Sequence, residues 1–112
     1  MSDRLSCPIA RTLDLLGDKW TLLVLRDAVV FKRRTYSEFA SSPEQIPTNL
    51  LAERLKRLVA SGLLEKVAYQ QNPERFEYLP TAKGRAIRPV IKALRNYGEA
   101  FLDETAESVE LE

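Results

Sequence analysis

Asn49, Glu53 and Lys56 recur at i, i+4 and i+7 in a chain of 112 residues, with Thr48, Ala52 and Arg57 beside them. On an α-helix that spacing gathers them on one face. Their combined chemistry is that of reading a base edge: an Asn amide pairs bidentately with adenine, and Lys or Arg reaches guanine or a phosphate. Thr48, near a helix start where backbone N–H groups point outward, suits a phosphate oxygen. Ala52 is small enough to approach a groove wall or a thymine methyl. Glu53 accepts from cytosine or pairs with Arg57 at i+4. The same spacing describes any solvated amphipathic helix, so the surroundings must decide.

Cations surround this segment. Lys32, Arg33 and Arg34 form a basic run before it, Arg54 lies within it, and Arg75 follows. Three successive bases at a helix entry suit contacts to a nucleic-acid backbone, although they also serve as a solubilising loop. Arg54 falls closer to the apolar side, where a salt bridge within the fold would employ it equally well. Gln71, Asn72 and Arg75 make a polar tip that either enters a minor groove or is only a turn.

Cys7 offers a second chemistry. It precedes Pro8, a residue favoured at the first position of a helix, so Cys7 is the expected N-cap. The positive end of the helix dipole, with Arg4 or Arg11 nearby, would lower the pKa of its thiol. Such a thiolate reacts with oxidants, quinones or aldehydes; the alternative is an inert thiol kept for packing. Other chemistries find no support. The chain has no His and one Cys; it has no Gly-rich phosphate loop, and its carboxylates are scattered. Catalytic residues, a metal site and a cofactor are therefore not expected.

These side chains need elements to carry them. Pro8 to Leu16 reads as a helix with Ile9, Leu13 and Leu16 on one face and Gly17 as its stop. Asp18 then caps a second helix, from Lys19 to about Val30, whose centre is apolar nearly all round and so must be surrounded. Thr35 and Glu38 fit a capping box for a short helix ending near Ala40. A turn region holding Pro43 leads to a helix from Pro47 or Thr48 to Ser61, with Leu51, Leu55 and Leu58 buried and Gly62 as its end. Leu64 to Gln70 and Arg75 to Leu79 favour strands joined by Gln71-Asn72-Pro73-Glu74, a β-hairpin. Thr81 starts a last long helix with a stripe of Ile87, Ile91, Leu94, Tyr97/Gly98 and Phe101. Pro89 should kink that helix or begin a second one. The expected fold is mainly α with a small β-hairpin. Two helices joined by a turn and followed by a hairpin are the winged helix-turn-helix arrangement, in which the helix before the hairpin enters the major groove of double-stranded DNA.

Apolar residues make up 45% of the chain and charged residues 29%, as in an ordinary globular domain. The net charge of +1 hides an asymmetry: Asp103, Glu104, Glu107, Glu110 and Glu112 leave 17 bases against 11 acids elsewhere, a body of +6. A basic body attracts phosphate-rich polymers. Residues 1–106 are expected to form one domain and 107–112 a frayed acidic tail. With no apolar run long enough for a membrane, no secretory pattern after Met1 and no partner for a disulfide within the chain, a cytoplasmic setting is expected.

The run from Cys7 to Thr21, CPIARTLDLLGDKWT, is long and distinctive, and on it the chain resembles the HxlR-type transcriptional regulators, relatives of the MarR winged-helix proteins. Arg34 to Phe39, Ile46 to Leu58, Gly62-Leu63, Tyr78, Thr81 to Gly84, Pro89 and Leu94 continue the resemblance. Gln45, Pro47, Pro80 and Tyr97 depart from the usual Gly, Ser, Leu and Trp. The resemblance implies a homodimer on a palindrome-like operator, with the first and last helices forming much of the interface. Ile9, Leu13, Ile91, Leu94, Tyr97 and Phe101 are the interface residues expected, the alternative being that the stripe from Ile87 to Phe101 packs within one subunit. It also implies that an oxidant or small electrophile acts through Cys7 in some members. The competing reading is a winged-helix protein–protein adaptor that never meets DNA.

Overall fold

A computed structural model describes residues 6–102; the expectations for Arg4 and for the acidic tail lie outside the described residues. The order is α1 (Pro8–Leu16), α2 (Lys19–Val29), α3 (Tyr36–Ala40), α4 (Thr48–Ala60), β1 (Leu64–Gln70), β2 (Arg75–Pro80), α5 (Ala82–Arg85) and α6 (Arg88–Phe101). It is the winged-helix arrangement, mainly helical with one antiparallel hairpin.

Local chemistry explains several of the boundaries. Asp18 caps α2 by accepting from the Thr21 backbone N–H at 2.9 Å. Thr35 and Glu38 form the reciprocal capping box of α3. At the end of α4, Gly62 takes φ +80°, a left-handed conformation natural to glycine. That turn lets Leu63 N–H reach Leu58 O at 2.9 Å and Gly62 N–H reach Val59 O at 3.0 Å, which satisfies the orphan carbonyls of the last turn. Pro89 takes the second of its two expected roles. It sits in the first turn of α6, so the segment after Thr81 is two helices rather than one. Gly84 is required for a different reason: a Cβ there would lie 2.1 Å from Leu63 O, so α5 packs directly on backbone.

The core gathers around α2, which touches all five other helices and β2. Leu25 and Ala28 of α2, Phe39 of α3, Leu51, Leu55 and Leu58 of α4, and Leu63 and Leu64 at the hairpin entry are all buried. Removing these chains from water is what holds the elements together. In the hairpin, Leu64 pairs with Pro80, Lys66 with Tyr78 and Ala68 with Phe76, and the register slips between Ala68 and Gln70. The basic loop is stitched to the hairpin, because Tyr78 N–H donates to Arg34 O at 2.7 Å.

Candidate nucleic-acid interface

With Leu51, Leu55 and Leu58 turned into the core, α4 turns Thr48, Asn49, Ala52, Glu53 and Lys56 to solvent. Its first turn has no side-chain cap, since Pro47 stands at the N-cap. The Tyr36 hydroxyl donates to Thr48 O at 3.0 Å and ties the start of α3 to the start of α4. The turn between these helices is anchored from behind. Arg26 of α2 reaches both oxygens of Glu44 at 2.8 Å, Asp27 Oδ1 at 2.8 Å, and Ser42 Oγ at 3.2 Å. The hydrogen bonds from Arg26 outweigh partial burial and hold the Glu44 carboxyl at about 2. The Arg26 guanidinium is correspondingly stabilised in its charged form.

Other cations of the expected site turn inward. Arg57 Nη2 donates to Asp18 Oδ2 at 3.3 Å, and Arg54 Nε to Asp18 Oδ1 at 3.2 Å. Glu53 pairs with the adjacent Arg54, not with Arg57 as the i+4 spacing suggests. Burial pushes the Asp18 carboxyl up, but hydrogen bonds from Thr21 and Arg54 prevail and hold it at about 2. Arg34 Nη1 donates to Ala28 O at 3.0 Å and Arg33 O at 2.9 Å, and Arg33 Nε donates to Glu38 O at 3.1 Å. Those two arginines thus satisfy carbonyls at the end of α2 and in α3, while Lys32 is exposed at a left-handed φ of 60°. Backbone N–H groups of Arg34 and Thr35 keep the Glu38 carboxyl below its usual range.

At the hairpin, Gln71, Asn72 and Arg75 are exposed. The sequence reasoning missed what lies beside them. A groove between the start of α3 and the hairpin is walled by Tyr36, Tyr69, Phe76 and Tyr78, and carries Lys66 with Arg75. Lys66 Nζ stands 4.4 Å over the Phe76 ring, a cation–π contact. With Gln70 opposite Arg75, a regular register would set Lys66 opposite Leu79. The slip between Ala68 and Gln70 brings it opposite Tyr78 instead, so the loop gave no signal for this pairing. No spacing could have found the Asp18 bridge to α4.

Cys7 is exposed and is the N-cap of α1, with no hydrogen bond from its side chain to the helix. Ile9 and Leu13 of α1 and Leu94, Tyr97 and Phe101 of α6 are exposed apolar side chains. Ile91 is a correction to the expected interface. It is 6% exposed and packs in the core with Ile87, because the first turns of α6 lie against α2 and only the later ones run past it.

A model of the HxlR-like helix-turn-helix family matches residues 15–106. The chain belongs to that family. This HxlR-like chain is 38% identical to an HTH-type transcriptional regulator of Synechocystis sp., covering 88% of this chain and 72% of that one. It is 39% identical to another from Mycobacterium tuberculosis, covering 84% of this chain but only 58% of the relative's length. Among solved structures, a MarR-family protein of Porphyromonas gingivalis superposes with a TM-score of 0.79 at 30% identity, over 91% of this chain and 98% of that one. The redox regulator HypR in its reduced form gives 0.74 at 28% identity, over 87% and 95%. The HxlR-like chain is a helix-turn-helix transcriptional regulator. None of its described helices is long and apolar enough to cross a membrane.

Proposed function

We propose that the protein binds a palindrome-like operator sequence-specifically as a homodimer, with α4 in the major groove and the hairpin as the wing. The observation that carries this reading is the division of α4: a sealed leucine face set on α2, and an opposite face of Thr48, Asn49, Ala52, Glu53 and Lys56 open to solvent. Asn49 and Lys56 take the base edges, Thr48 a phosphate, and Lys32, Gln71 and Arg75 the flanking strands. Lys66 joins them from the groove beside the hairpin. Arg33, Arg34 and Arg57 act mainly through the scaffold, since their guanidiniums are already engaged.

Residues 1–106 act as one domain whose α1 and α6 supply the dimer seam. Ile9, Leu13, Leu94, Tyr97 and Phe101 are large apolar side chains left in water, and a second copy would cover them. Cys7, exposed at the start of α1, is the place where an oxidant or small electrophile would act on that seam. HypR, a redox regulator of the same fold, supports this part of the reading.

Fluorescence anisotropy at several salt concentrations tests the proposal. The probes are a duplex the protein selects from a random-sequence pool and the same duplex scrambled. Tight, strongly salt-dependent binding to the first and weaker binding to the second is expected; equal, weak binding to both would instead favour an adaptor. For Cys7, the response of the wild type to diamide should be absent in Cys7→Ser.

A further inference from the structure

The Asp18 carboxylate accepts four hydrogen bonds from two elements. Thr21 N and Thr21 Oγ1 of α2 donate at 2.9 and 2.7 Å, and Arg54 Nε and Arg57 Nη2 of α4 donate at 3.2 and 3.3 Å. One side chain therefore ends one helix and pins two arginines of another, each to a different oxygen. Glu53 takes a second share of Arg54. Of the three cations on α4, Lys56 alone is exposed, while Arg54 and Arg57 are half-buried against acids.

The consequence is electrostatic. An arginine free to swing reaches any phosphate, whatever the base beside it, and such contacts strengthen binding to every sequence alike. An arginine paired with a carboxylate presents a phosphate with a partly offset field, and the charge-assisted bond restrains where its side chain can reach. From this geometry we infer that Asp18 is a specificity-determining positioning residue: by engaging Arg54 and Arg57 it withholds two cations of the reading helix from indiscriminate phosphate contact and fixes the pitch of α4 on α2. Discrimination then falls to Asn49 and Lys56. The inference rests on the proposed DNA-binding role, and it concerns the ratio of specific to non-specific affinity rather than binding as such.

Asp18→Asn is the direct test, because Asn is as good an N-cap as Asp and still accepts from Thr21 N, but carries no charge. Asp18→Ser, also a strong cap, serves as a second substitution should the first fold poorly. Affinity is read against salt on the selected duplex and on its scrambled counterpart. Each variant should bind the scrambled duplex more tightly, with a log–log salt slope steeper by about 1–2, and the specific-to-non-specific ratio should fall about tenfold. Adding Arg57→Gln to Asp18→Asn should bring the scrambled-duplex slope part of the way back. A purely structural Asp18 would weaken both affinities together and leave the slopes where they were, which overturns the inference. Wild type that shows no preference between the duplexes would instead defeat the DNA-binding reading beneath it, so the two failures are distinguishable.

Discussion

Helices α4 and α6 carry the same kind of apolar stripe and meet opposite fates. In α4, Leu51, Leu55 and Leu58 are at most 1% exposed. In α6 the stripe begins buried at Ile91 and then emerges, until Phe101 is 73% exposed. Tyr97 and Phe101 lie side by side on the emerging face, their ring centroids 5.1 Å apart and their planes tilted by 46°. The periodicity of an amphipathic helix states that a face needs covering; it does not state whether the cover comes from the same chain. The polar faces differ as well. The one on α4 is held in place by Asp18, Tyr36 and the Arg26–Glu44 pair behind its turn, whereas the one on α6 carries a loose Arg95–Glu99 pair at 4.0 Å.

The sharpest way to break this comparison is a matched pair of truncations. Leu55→Ala should lose about 2–5 kcal/mol in urea unfolding, the usual range for a buried leucine. Leu94→Ala, half-exposed in one subunit, should lose under about 0.5 kcal/mol once the protein is dilute enough to be monomeric. Equal losses would mean that α6 is as deeply embedded as α4.

Next in size are the reading residues. Asn49→Ala and Lys56→Ala should each cost about 1–3 kcal/mol of binding to the selected duplex, while leaving thermal stability nearly unchanged. Comparable changes on the polar side of α6, such as Lys92→Ala, should not affect DNA affinity to that degree.

Acid sharpens the contrast from another side. Asp18 and Glu44 are both held at about 2, against ordinary values of 3.8 and 4.5. Their depressed folded values mean that the stability they contribute is whole above about pH 4.5 and is lost as pH falls toward about 2. Glu44→Gln should therefore flatten the acid limb of a urea-midpoint profile, and an unchanged limb would show that the pair with Arg26 adds nothing. The smallest effect on folding is expected from Phe101→Ser. Monomer stability should hardly move, yet sedimentation should show the dimer dissociating at concentrations where wild type stays paired.

Much of this was legible in the residues. The caps at Asp18 and Thr35 and the stop at Gly62 work through bonds within a few positions, so spacing alone reveals them. The hairpin and its loop are visible for the same reason, but its register is not, because it slips between Ala68 and Gln70. Long charged side chains were not legible in this way. Arg33 and Arg34 lie in a run that resembles a phosphate grip, but their guanidiniums close on Ala28 O and Glu38 O, partners supplied by the packing of α2 and α3. Arg57 is drawn to Asp18, 39 positions away. Ile91 sits in register with Leu94 and Phe101, and only the position of α2 separates its fate from theirs.

The claim at the centre is that the exposed face of α4 reads DNA, and charge reversal at Lys56 tests it most directly. In an anisotropy titration on the duplex selected by the wild type, Lys56→Glu should bind at least about tenfold more weakly while unfolding at the same temperature as wild type. Unchanged affinity in a folded Lys56→Glu protein would contradict the account.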